Sequence, residues 1–341
     1  MKYDAFLLVS FGGPEGIDEV IPFLENVLRG KNVPRQRLEA VAHHYELFGG
    51  ISPINQQNRN LITALKPLIE ESGAKLPIYW GNRNWHPLLT DTVRQMAGDG
   101  VKNAIAFVTA AYSSYSSCRQ YQEDILRAQE AVGSSAPKID KLRVFYNHPK
   151  FIKANSENLK NTIASLPEDK QASVQIAFSA HSIPMTMAAG CNYADQLFET
   201  CRLIVESIGF KGAWQLVYQS RSGLPTQPWL EPDIMDHLRS AKEQGVTDIV
   251  VAPVGFVSDH MEVIYDLDTE AKRLASELDI NLLRCPTVGT HPNFVSMIKD
   301  LLEERIDETT ARAAIGKDEP GLDICPPQCC PSGSSFRVSN A

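Results

Sequence analysis

His181 closes an apolar, β-rich run, Val174–Ala180, in Phe178-Ser-Ala-His181-Ser-Ile-Pro184. An imidazole at the end of a buried strand can accept a proton near neutral pH or bind a metal. Glu262, Asp266 and Glu270 recur every four residues beyond another apolar run, Asp248–Pro253. On a helix that spacing makes one acidic column. Like charges so placed repel by a few tenths of a kcal/mol per pair, which a cation alongside would relieve. Imidazole and carboxylate together suit a borderline divalent metal such as iron(II) or zinc. On spacing alone, a solvated acidic face is the simpler account of the column. His43, His86, His148, His237 and His291 have no such company and read as satisfied histidines. Three thiols, Cys325, Cys329 and Cys330, lie within six positions near the end, where a tetrahedral site wants four. A different environment lies early in the chain. Pro22, Phe23, Leu24, Val27 and Leu28 precede Arg29-Gly30-Lys31, followed by Tyr45, Phe48, Gly49-Gly50-Ile51-Ser52-Pro53 and later Tyr121. Apolar walls with a few cationic and hydroxyl groups suit a flat ligand with carboxylate corners. Ordinary helix core explains Phe23, Leu24 and Leu28 equally well.

These residues need elements to hold them. Expected strands are Tyr3–Ser10, Pro77–Gly81, Asn103–Thr109, Leu142–Tyr146, Val174–Ala180, Ala213–Gln219, Asp248–Pro253 and Ile280–Arg284. Between them lie amphipathic stretches such as Asp18–Arg29, Leu88–Ala97, Arg119–Val132, Phe151–Leu166, Tyr193–Ile208, Glu231–Glu243 and Tyr265–Leu278. Continuously apolar strands alternating with helices predict an α/β fold with parallel sheets flanked by helices. Gly100-Val101 into Asn103–Val108 reads like Gly245-Val246 into Asp248–Pro253, and Pro87, Asp91 and Arg94 stand to Gly100 as Pro232, Asp236 and Arg239 do to Gly245. The repeat predicts two Rossmann-like lobes, 1–150 and 151–306, with a cleft between them. Residues 307–341 are rich in Pro, Gly, Ser and Cys and read as a Cys-rich tail, mobile unless clamped. The polar and Gly-rich segments fall at the carboxyl ends of the strands, where open parallel sheets bind ligands. Gly12-Gly13 lacks the wider glycine pattern of a nucleotide loop.

The 341 residues, 43% hydrophobic and 22% charged, suffice for two or three domain-sized units without disulfide staples. A net charge of −8 argues against nucleic-acid binding. The first residues do not read as a secretory leader, and no apolar run approaches the ~18–20 residues of a membrane span. A soluble, cytoplasmic protein with reduced or metal-bound thiols is expected.

Over nearly the whole chain the sequence resembles the ferrochelatases, in particular the bacterial coproporphyrin type with the actinobacterial-like cluster. The resemblance is carried by Phe-Gly-Gly-Pro at 11–14, Gly-Gly-Ile-Ser-Pro-Ile-Asn at 49–55, Phe-Ser-Ala-His-Ser-Ile-Pro at 178–184, Tyr-Gln-Ser-Arg-Ser-Gly at 218–223, Trp-Leu-Glu-Pro at 229–232 and Gly-Phe-Val-Ser-Asp-His-Met-Glu at 255–262. It implies the two-lobed chelatase fold and insertion of Fe2+, the metal substrate, into coproporphyrin III to give coproheme. By that resemblance His181 is the active-site histidine, Glu262 its partner acid, and Asp266 and Glu270 an acidic ridge guiding metal or protons. Ser52, Tyr121 and, more loosely, Arg29 match positions that hold propionates. Phe11 stands where firmicute relatives carry a tyrosine, so it can pack on the ring but not ligate iron. His44 stands where they carry an arginine. The membrane-binding lip of protoporphyrin enzymes is not evident between Pro14 and Arg29, a stretch holding Glu15, Asp18, Glu19 and Glu25.

The resemblance further implies a [2Fe-2S] cluster on Cys325, Cys329, Cys330 and an internal cysteine. Cys118 is the first candidate and Cys191 the second, whereas Cys201 and Cys285 read as core or helix residues. A disordered tail or a zinc site are the alternatives. Handover of coproheme to a decarboxylase is the partner expectation. Three other functions remain open: a protoporphyrin IX ferrochelatase, a haem or iron carrier without insertion activity, and a cobalt chelatase.

Overall fold

The computed structural model describes residues 2–30, 33–71, 76–223, 226–307 and 309–333. Its apolar runs form two four-stranded parallel sheets. The first joins β1 (Ala5–Ser10), β2 (Ile78–Asn82), β3 (Asn103–Val108) and β4 (Lys138–Lys141) in the order β2-β1-β3-β4. The second joins β5 (Gln175–His181), β6 (Trp214–Gln219), β7 (Asp248–Ala252) and β8 (Asn281–Arg284) in the matching order β6-β5-β7-β8. The internal repeat is therefore a repeat of topology. It extends to detail: Asn82 N donates to Pro87 O at 2.7 Å and Tyr218 N to Pro232 O at 2.9 Å, and both prolines follow cis bonds. Every residue of β1 and of β7 is buried, as strands covered on both faces must be.

The covering helices are, in chain order, α1 (Val20–Val27), α2 (Arg35–Glu46), α3 (Ile54–Glu71), α4 (Leu89–Gly98), α5 (Gln120–Val132), α6 (Pro149–Ala164), α7 (Glu168–Gln171), α8 (Met185–Ala188), α9 (Tyr193–Ile208), α10 (Ile234–Glu243), α11 (Met261–Tyr265), α12 (Lys272–Glu277) and α13 (Pro292–Ile306). One hydrophobic core runs through both lobes. Phe6 and Phe107 of the first sheet, Phe178 and Val250 of the second, and Phe145, Phe151 and Phe294 between them belong to it. Phe145 touches Phe107 and Phe151 with ring centroids 5.3 and 5.4 Å apart. Each such ring contributes roughly 1.5–3 kcal/mol by leaving water.

Leu142–Tyr146, expected as a strand, is not one; the fourth strand is Lys138–Lys141. Leu142, Val144, Phe145 and Tyr146 are buried all the same, as the connection that threads the shared core. An apolar run reports burial, not the ladder that causes it. The tail is clamped as far as Gly333. Ile315 N donates to Asn147 O at 3.0 Å, Asn147 Nδ2 to Asp318 O at 2.9 Å, and Lys317 N to Glu199 Oε1 at 3.1 Å. Gly316, at φ +88°, passes so close to Glu199 that a Cβ would lie 2.2 Å from its carboxylate. Buried Arg143 forks onto Glu304 at 2.8 and 2.9 Å and donates to Ala313 O at 2.8 Å, tying the connection to α13 and the tail. Of the tail, Glu308 and 334–341 lie outside the described residues. No helix among the described residues is long and apolar enough to cross a membrane.

Candidate functional site

His181 is the last residue of β5, an inner strand of its sheet, so a rigid ladder fixes where its ring begins. Its Nδ1 is 2.5 Å from Ser182 O, and its backbone oxygen accepts from Tyr193 OH at 3.0 Å. Because Nδ1 faces a carbonyl, it carries a proton, and Nε2 faces Glu262 Oε1 at 3.4 Å. Burial opposes charging of this ring, but the carboxylates of Glu262 and Asp266 and the Ser182 carbonyl outweigh it and raise its pKa to about 9. The contact with these carboxylates favours the charged form of the ring.

Glu262 has a second histidine neighbour that the sequence reading passed over. His260 caps α11, its Nδ1 accepting from Glu262 N at 3.1 Å, so its proton sits on Nε2, 4.0 Å from Glu262 Oε2. Burial lowers the pKa of His260. Two imidazoles thus flank one carboxylate with opposite electrostatic biases.

The expected helix Tyr265–Leu278 begins earlier, at Met261, and widens over Asp266–Ala271 into a π-turn before α12 resumes. A π-turn inserts one extra residue per turn and is frequent at functional sites. The column survives it. Asp266 feels both Glu262 and Glu270, and its pKa rises to about 7, first through burial and then through those two charges, with Ser220 opposing. Ser220 Oγ donates to Asp266 Oδ2 from a left-handed backbone (φ 62°), a conformation L-residues adopt at a cost. Gln219 Nε2 donates to Glu262 O at 2.7 Å. Among the described residues no three His, Cys, Asp or Glu side chains converge on one ion position. His181, Glu262, Asp266 and Glu270 therefore form a path of acids leading to an imidazole, not a closed coordination shell.

The early aromatic residues form a cluster beside the acid-bearing helix. Phe23 meets Phe11, Tyr45 and Trp85 edge-on at 6.3, 5.9 and 6.2 Å. Met261, Ile264 and Tyr265 of the acid-bearing helix pack against this cluster, so it adjoins the acidic path. His44 stacks on Tyr265 at 3.7 Å, joining α2 to the second lobe. Ser52 and Tyr121 are both buried. Gly13 passes so close to Ser52 that a Cβ would lie 2.6 Å from it. Over the Tyr121 ring lies the Arg83 guanidinium at 5.0 Å, itself paired with Asp124 at 3.1 Å and 5.8 Å from the Phe11 ring. Arg83 belongs to the strand-end segment Gly81-Asn82-Arg83; its type and place were the signal for it. Arg29 is exposed past α1 and donates to Asn26 Oδ1 at 2.5 Å. A polar cavity of about 500 Å³ lined by Gln57, Asn158, Asp259 and His291 does not include His181 or Glu262.

The thiols gather in two pairs. Cys325 hydrogen-bonds Cys118, and that contact, more than the nearby Lys141 and Arg119 cations, lowers the Cys118 thiol to about 6. Cys329 Sγ and Cys330 Sγ are 3.4 Å apart, and Cys330 feels the charge of Cys118. Cys191, the second internal candidate, donates to Met187 O at 3.3 Å and also lies near Cys329 and Cys330. Cys201 and Cys285 are buried, with thiol pKa values raised by desolvation.

The ferrochelatase family model matches residues 3–306. A protein of Rhodopirellula baltica named ferrochelatase is 52% identical over 96% of this chain and 93% of its own. Proteins named coproporphyrin III ferrochelatase from Streptomyces griseus and Nocardia farcinica are 48% and 46% identical, covering 97% of this chain and 94% and 97% of theirs. Among solved structures, SirB of Bacillus subtilis with Fe3+ has the same fold at a TM-score of 0.52, with 13% identity over 90% of this chain and 95% of that one. The chain belongs to the ferrochelatase family.

Proposed function

From that membership we propose that this enzyme inserts ferrous iron into coproporphyrin III, in the cytoplasm, as a step of haem biosynthesis. The observation that carries the reading is the His181–Glu262 contact at the head of the acidic path, beside an aromatic cluster. Close relatives named for coproporphyrin III support the choice of porphyrin.

Insertion changes no oxidation state. Two pyrrole N–H protons leave, four Fe–N bonds form from the two freed lone pairs and the two already present, and iron's charge is balanced by the ring dianion. Phe11 and its neighbours pack on the ring; Ser52, Tyr121 and Arg29 serve the propionates. Ferrous iron sheds water stepwise along Glu270, Asp266 and Glu262, where acids replace its hydration shell. An imidazolium cannot take a pyrrole proton. A dication at Glu262 and Asp266 takes over as the carboxylates' partner, and burial then expels the His181 proton. The neutral ring accepts a pyrrole proton, with His260, on the other side of Glu262, as the way out.

We further infer a [2Fe-2S] cluster on Cys118, Cys325, Cys329 and Cys330. What supports it is that Cys118 lies beside Cys325 and that Cys329 Sγ and Cys330 Sγ are 3.4 Å apart; among the described residues no three thiols converge on one ion position, so the pairs would close on the irons only when these bind. When bound, the cluster would cross-link the tail to the N-terminal lobe. The tetra-propionate product calls for a coproheme decarboxylase as its consumer.

An anaerobic assay with Fe2+ and each porphyrin tests the main reading. Higher kcat/KM with coproporphyrin III than with protoporphyrin IX is expected. The reverse preference, or tight binding without insertion, overturns it. Purified protein without iron and labile sulfide would remove the cluster.

A further inference from the structure

Arg284 ends β8, sixteen residues past Asp268 and twenty-five past Asp259, yet its guanidinium meets both. Nε donates to Asp268 Oδ1 at 2.7 Å and Nη1 to Asp259 Oδ1 at 3.1 Å. Its side chain is 19% exposed. Asp259 precedes the His260 cap; Asp268 lies inside the π-turn. The two contacts bracket the stretch that carries His260, Glu262 and Asp266. Further bonds seat the bracket: Thr287 Oγ1 donates to Asp259 Oδ1 at 3.2 Å, and Asp259 N donates across the lobes to Gln57 Oε1 at 2.8 Å.

We propose that Arg284 is a positioning residue for the iron path: it clamps both ends of the acid-bearing segment and withdraws two of its five carboxylates from metal binding. Asp259 and Asp268 lie in the same short stretch as Glu262, Asp266 and Glu270. Held by a guanidinium, they present no open oxygen pair to a passing dication. Glu262 and Asp266 instead face histidine, hydroxyl and amide partners that iron can displace or join. Removing Arg284 loosens the π-turn and uncovers two decoy carboxylates beside the path, so iron is both misdirected and held off line.

The inference rests on the ferrous-iron reading above, and steady-state kinetics with Fe2+ and coproporphyrin III under anaerobic conditions tests it. In Arg284→Met, KM for Fe2+ should rise about tenfold while KM for the porphyrin stays within about twofold. Arg284→Lys should recover part of the loss, because an ammonium engages one carboxylate where a guanidinium spans two. Asp268→Asn should raise KM for Fe2+ about threefold, since one end of the bracket remains. If Arg284→Met does not melt cooperatively near the wild-type temperature, Asp268→Asn decides. An unchanged KM for Fe2+ in the folded variants, or a parallel rise in porphyrin KM, overturns the proposal. Wild-type protein that inserts no iron in the same assay defeats the functional reading; active wild type with unaffected variants defeats only this one.

Discussion

The two lobes share one strand order and one pattern of strand-end hydrogen bonds, yet their equivalent strand ends carry opposite chemistry. Where β1 runs into Phe11-Gly12-Gly13, β5 ends on His181. Beyond β7 come Asp259, His260 and Glu262, while the first lobe offers aromatic rings and Arg83. One copy presents a cluster of aromatic rings and the other a run of carboxylates and imidazoles. The sheet supplies matched platforms, and the short segments beyond it decide what each platform does.

The sharpest way to break that division is His181→Ala. Turnover should fall about a thousandfold, the scale of a lost proton acceptor, while porphyrin affinity measured by fluorescence stays within threefold or so. Loss of porphyrin binding would place His181 on the ring-holding side. Glu262→Gln should lower kcat about a hundredfold, again without weakening porphyrin binding. A substitution in the aromatic cluster must do the converse. Phe11→Ala should weaken porphyrin binding about tenfold, the scale of a lost aromatic contact, and leave KM for Fe2+ unaltered. A raised Fe2+ KM there would blur the two roles.

The smallest effect concerns pH. His181 is raised from 6.5 to about 9, so its pairing with Glu262 stabilises the fold fully below pH 6.5 and is lost as pH rises through 9. Glu262 is well solvated, which limits the contribution to about 1 kcal/mol. Chemical denaturation of wild type and Glu262→Gln across pH 6–10 should show their difference shrinking toward the alkaline end. A constant difference would mean that the contact is not ionic.

Much of this was legible in the chain, for different reasons in different places. Buried parallel strands announce themselves by apolar runs, so seven of the eight expected strands overlap observed ones, and Leu142–Tyr146 failed because a buried connection has the same signature. Two helices carried weak signals. Only Leu38, Ala42 and Tyr45 of α2 are buried, and α3 contains Pro67, which removes a helical donor. The π-turn leaves no mark on residue spacing beyond the acids it carries. His181 and the column could be found because strand ends and a four-residue period are local. Arg284 could not, since its contacts exist only once β8 is laid beside β7.

The aromatic seam from Phe107 through Phe145 to Phe294 packs the two sheets onto one shared core. Swinging the halves apart would wet those rings, at roughly 1.5–3 kcal/mol apiece. A macrocycle must then slide in and out edgewise, like a card in a slot, by local breathing of the rim.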